Sequence, residues 1–178
     1  MRNRPADARR LKHGRHDAMT TRPPAPIQPD PEPITGQEDL GNLREPRQAL
    51  AQFYRAMNSR DLALLAENWE QSSEIAMDNP LGGIKRGWDE IRAVYERIFR
   101  GPARLWVEFH DYTLYESEQV FYAVGRERGR FENGPHTLDL AIRTTRIFRR
   151  SADRWRQVHH HGSIEDPAML AAYQQAVS

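Results

Sequence analysis

The chain has no cysteine. That excludes disulfides, thiolate catalysis and cysteine-based zinc sites. No run of apolar residues approaches the roughly 20 that span a bilayer, and the charged N-terminus lacks the apolar core of a secretory signal. A cytoplasmic protein with no membrane partner is the expectation. An excess of one charge is also missing, since 26 basic residues face 25 acidic ones across 178 residues. A dedicated nucleic-acid binder usually carries a strongly basic domain, so the balance argues against one. Neither a Gly-x-Gly-x-x-Gly motif nor a phosphate loop is present, so no cofactor is expected.

The charge that is there is unevenly placed. Residues 1–22 hold Arg2, Arg4, Arg9, Arg10, Lys12, Arg15 and Arg22 against Asp7 and Asp17. Six prolines follow between Pro23 and Pro33. Neither stretch has the apolar surface to offset its ordering entropy. Residues 1–42 are therefore expected to be a disordered, dispensable tail, and residues 43–178 the domain.

From there periodicity takes over. Leu50, Phe53, Tyr54 and Met57 recur at helical spacing behind Pro46, which suits a first turn. Asp61 can cap a second, short helix with Leu62, Leu65, Ala66 and Trp69 inward. Ser72 to Met77 reads as a short strand. A third helix follows Gly87, with Trp88, Ile91, Val94, Tyr95, Ile98 and Phe99 on one face, and Gly101-Pro102 stops it. Four long strands come next, over 104–115, 119–131, 138–149 and 155–163. Short polar turns between them suit antiparallel hairpins, and Pro167 to Val177 reads as a weak helix or tail. Helices grouped before a run of antiparallel strands predict an α+β layer fold. Three helices would cover one face of a curved sheet, making a cone with a pocket inside.

The last hairpin holds the residues with chemistry. Alternation puts His159, His161 and Ser163 on one face of the final strand and Val158 and His160 on the other. His159 and His161 could offer two metal ligands, but no spacing supplies a third, so no metal is expected. One of them could serve as a general acid or base, because histidine titrates near neutrality. The other reading has His161 buried and hydrogen-bonded and His159 at an interface. Arg126 and Arg146 lie on neighbouring strands, and a buried arginine needs an anion. That anion is either a ligand carboxylate or an internal partner such as Glu108, Glu127, Glu132 or Asp139; otherwise the arginines stay in solvent. Asp78, at the end of the first strand, could be a base or could cap a turn. Trp69 and Tyr95 face inward from their helices and are core residues that could also wall a pocket.

The element order, with Thr145-Arg146-Ile147-Phe148 and Trp155-x-x-Val158-His159-x-His161-x-Ser163, resembles the nuclear transport factor 2-like superfamily, and within it the SnoaL-like branch. Arg143 and Thr145 match the Arg-x-Thr often seen on that branch's penultimate strand. The hairpin is also similar to the association (hub) domain of calcium/calmodulin-dependent protein kinase. Counted back without gaps, Arg126 and Arg146 fall where that domain carries two pocket arginines. The resemblance covers roughly residues 44–165 and implies the cone fold, but this fold hosts many activities. No match is found to the Tyr and Asp pair of ketosteroid isomerases.

Two functions are expected from this. One is a small-molecule pocket that binds or converts an organic, carboxylate-bearing ligand by acid/base chemistry. Its catalytic candidates are Asp78 and His161, and its ligand-binding candidates Trp69, Tyr95, Arg126, Arg146 and His159. The other is a non-catalytic association module that pairs with itself through the outer sheet face, as a homodimer or larger assembly.

Overall fold

Leu50, Phe53, Tyr54 and Met57 form the buried stripe of the first helix, α1 (Pro46–Ser59). Pro46 opens it, Gln48 accepts from the Arg44 and Glu45 amides, and left-handed Arg60 closes it. The structure, a computed structural model, describes residues 27–177. Asp61 caps α2 (Leu62–Asn68) by accepting from the Leu64 amide at 2.9 Å. The strand that follows is β1 (Ala76–Asp78), and it makes a hairpin with β2 (Ile84–Arg86). β2 escaped the sequence reading, because three residues show no period. α3 (Gly87–Arg100) carries Asp89 and Glu90 in its first turn and Arg97 and Arg100 in its last, as the helix dipole favours.

The long strands are β3 (Arg104–Glu116), β4 (Val120–Asn133), β5 (His136–Ser151) and β6 (Arg154–Ile164), and α4 (Pro167–Val177) ends the domain. One six-stranded sheet results, in the order β2-β1-β6-β5-β4-β3, with β1 parallel to β6 and the other pairs antiparallel. The predicted α+β fold, helices over a curved sheet, is thus the observed one.

Curvature has local causes. In β3, Asp111 and Tyr112 together oppose the single residue Gly125, and Asp111 takes φ +50°. That is a β-bulge, which bends a strand and reverses its facing pattern. Gly125 is needed there, since a Cβ would lie 2.6 Å from Tyr112 Cβ and 2.7 Å from the His110 carbonyl oxygen. Gly129 is tighter still: a Cβ would meet the Trp106 carbonyl oxygen at 1.9 Å. A second irregularity pairs Ile147 with His159 but Phe148 with Gln157, leaving Val158 as the extra residue in β6. The closed end of the cone is aromatic, with Phe121 stacked on Phe148 at 4.5 Å and meeting Trp155 edge-on at 5.0 Å.

The boundary expected at residues 42/43 cuts through a packed segment. Residues 30–34 lie along the outer edge of β3. Ile34 is fully buried and exchanges both backbone hydrogen bonds with Phe109, at 2.9 Å each. The Asp30 amide donates to the Tyr112 carbonyl at 2.8 Å, and Arg55 Nε donates to the Gly36 carbonyl at 2.7 Å. A composition dominated by proline and charge hid this, because one apolar residue in extended chain suffices to cap a sheet edge. The expected disorder of residues 1–26 concerns a stretch outside the described residues. No described helix is long and apolar enough to cross a membrane.

Candidate functional site

Between the helices and the concave face of the sheet lies a cavity of about 470 Å³, within the usual range for small-molecule pockets. Phe53 and Met57 of α1, Val94, Tyr95 and Ile98 of α3, and Val107, Leu140 and Ile142 of the sheet make most of its wall. Tyr173 and Val177 of α4 close one side.

Its polar floor is a buried ion pair. The Arg146 guanidinium meets a Glu127 carboxylate oxygen at 2.5 Å and donates to Gln157 Oε1 at 3.0 Å and to the Tyr54 hydroxyl at 3.1 Å. The Tyr54 hydroxyl in turn donates to Glu127 at 3.0 Å. The guanidinium also lies 3.4 Å from the centre of the Phe53 ring, a cation–π contact. Burial alone would lower the pKa of Arg146, but Tyr54 and Glu127 hold it above its ordinary value. Burial pushes Tyr95 up to about 12, so it stays protonated. The floor therefore carries one positive and one negative charge, already joined.

His160 stands beside this pair on the cavity wall. It is 6 % exposed, and neither ring nitrogen has a hydrogen-bond partner. Burial first, then the Arg146 charge, hold its pKa well below the ordinary histidine value, so the ring is neutral at neutral pH. A neutral imidazole offers one donor and one acceptor. Leaving both unused in an interior is costly.

The residues singled out from sequence divide between two faces. Arg146 and Tyr95 line the cavity. Trp69 is fully buried and belongs to the core. Arg126, His161 and Asp78 are brought close to one another's strands, but on the outer face, and His159 shares that face with His161. There His161 Nδ1 lies 3.1 Å from Asp78 Oδ2, in a half-exposed pair. Arg126 and Arg146 do not share a site. β4 and β5 pair Arg126 with Arg143 and Ala123 with Arg146, which sets the two arginines on opposite faces. Among the described residues, no group of three or more His, Asp or Glu side chains is gathered as a metal site.

Sequence reasoning missed His160, and it listed Glu127 only as one possible partner among several. The signal for the second was available. The Asn133-Gly134-Pro135 turn fixes the β4–β5 register, and that register places Glu127 on the same face as Arg146.

Residues 47–167 match the model of the SnoaL-like domain family. No curated protein matches the chain. Among solved structures, one from Thiobacillus denitrificans, provisionally described as a calcium/calmodulin-dependent protein kinase type II association domain, is 27 % identical. It covers 68 % of this chain and 95 % of its own, with a TM-score of 0.57. Another, from Streptomyces avermitilis and provisionally described as a dehydratase of the NTF2-like family, is 18 % identical, with coverages of 66 % and 93 % and a TM-score of 0.61. An NTF2-like protein of unknown function from Pseudomonas putida is also 18 % identical, with coverages of 66 % and 82 % and a TM-score of 0.57. At 18 % identity the likeness is one of fold alone. The family match spans well over half of the residues and coincides with the cone and its cavity: this chain belongs to the SnoaL-like domain family, built on the NTF2-like fold.

Proposed function

We propose that the cone binds a small, mostly apolar, uncharged organic molecule, anchored through one polar group to His160. The observation that carries this is His160 itself: buried, neutral, on the wall of a cavity of ligand size, with both nitrogens free. An alcohol, ketone or amide would satisfy it. The carboxylate-bearing ligand expected from sequence is less well served, because Arg146 already has its anion in Glu127 and a second carboxylate would enter a low-dielectric site uncompensated. The lone pair of a neutral buried imidazole can also accept a proton from a bound substrate. Acid/base conversion is therefore a use of the same site, with His160 rather than His161 as the base.

The test is calorimetry of the full chain with matched hydrophobic amides and carboxylic acids. The amide is expected to bind at least tenfold more tightly, and His160→Leu is expected to remove that preference. Equal binding of amide and acid, or an unchanged preference in the variant, would defeat the reading.

A second reading, self-association, is favoured by a separate observation. Trp106, Tyr115, Val120, Tyr122 and Val124 stand 37–50 % exposed on the outer side of β3 and β4. Tyr115 and Tyr122 stack at 5.3 Å. An apolar patch of this kind marks interaction surfaces, and the structure from Thiobacillus denitrificans is described as an association domain. A homodimer through this face is compatible with a working cone, because none of these five residues lines the cavity.

A further inference from the structure

We propose that the outer face of the sheet carries a second site, for a phosphate-type oxyanion, where Arg126, Arg143, His161 and Ser163 meet. It does not depend on what the cone binds. Arg126 and Arg143 lie directly opposite each other on β4 and β5. Like charges in that position destabilise a sheet. What offsets them is one residue, Glu165, just beyond β6. A single carboxylate oxygen of Glu165 stands 3.3 Å from Arg143 Nε and 4.0 Å from Arg126, and Glu165 is itself 52 % exposed. Two other carboxylates at this site have cations of their own: Asp111 meets Arg128 at 2.7 Å, and Asp78 meets His161 at 3.1 Å. Two guanidinium groups thus share one half-exposed carboxylate.

Donors of other kinds surround the pair. Ser163 is the cross-strand neighbour of Arg143, and Thr145 that of His161. Asp78 fixes His161 through Nδ1, leaving Nε2 without a partner among the described residues. A shallow depression in the sheet surface is lined by Arg126, Arg143, Thr145, His161 and Ser163, and also by Asp111, whose carboxylate is held by Arg128. Two planar guanidinium forks, an imidazole and two hydroxyls, drawn from three strands, supply hydrogen bonds from several directions. A tetrahedral oxyanion uses such a set more fully than a planar carboxylate does. Glu165 is then a placeholder that the bound oxyanion displaces.

The measurement is a titration of inorganic phosphate into the full chain at constant ionic strength, followed by calorimetry and by the ring resonances of His161. Saturable binding is expected. Arg143→Gln should weaken it tenfold or more, and Glu165→Gln should tighten it several-fold, because the internal competitor is gone. His160→Leu, on the opposite face, should leave it unchanged, so failure of the cone reading and failure of this one are distinguishable. Absence of saturable binding overturns the proposal. So does an Arg143→Gln variant that binds as well as the parent, or a Glu165→Gln variant that gains nothing. Because Arg143 and Glu165 are at the surface, neither of their substitutions threatens the fold.

Discussion

Arg146 and Glu127 stand 1 % and 7 % exposed by side chain, so each depends on the other. Removing one partner of such a pair leaves an uncompensated buried charge, at a cost of about 3–5 kcal/mol. Glu127→Ala is expected to destabilise the domain by that amount. Replacing both, as Glu127→Leu with Arg146→Met, should cost markedly less than the two single changes added together. Urea denaturation of the four proteins in the cycle decides it, and strict additivity would show that the two charges do not couple. At this scale the sequence was readable further than it was read. Arg143 and Arg146 are three residues apart on one strand, so they cannot share a face. Only one of them could join Arg126, and the turn at Gly134 shows that it is Arg143.

At the scale of the element, helices were legible because their stripes repeat over several turns. Strand faces were not, because two bulges reset the count. Strict alternation from the buried Trp155 carries His159 and His161 into the cone. The extra residue Val158 shifts the phase, so Trp155, Gln157 and His160 face inward instead. No feature of local sequence marks Val158 as that residue. The strap at residues 30–34 was illegible for a different reason: its partner is an edge strand some 75 positions away, the separation of Ile34 from Phe109, and composition holds no trace of it. It gives a sharp expectation nonetheless. Ile34→Ala should cost about 2–5 kcal/mol, the usual result of truncating a fully buried isoleucine. In a disordered tail the same change would cost nothing measurable. Thermal denaturation separates the two outcomes.

For the whole molecule the open question is how copies meet. If the outer face pairs with itself, placing a charge in the exposed aromatic pair should break the assembly. Tyr122→Glu is expected to shift the sedimentation coefficient from dimer to monomer at micromolar concentration, while leaving the cavity and its ligand binding intact. A parent protein that sediments as a monomer would remove the association reading altogether. The fold class and the order of the helices and long strands were written in the sequence; the short strand β2 was not, because three residues show no period.

The strap along β3 has a consequence for growth. A sheet can be extended without limit only through a free edge. On one flank residues 30–34 occupy the hydrogen-bonding positions of Phe109 and Tyr112, and on the other the terminal strand is only the three residues Ile84–Arg86. The strap thus interrupts the long edge of β3 at its middle, and the opposite edge is only three residues long. Strand-by-strand addition of another chain is thereby hindered at both flanks, and concentrated solutions are expected not to form fibrils that grow by sheet extension, which thioflavin fluorescence checks.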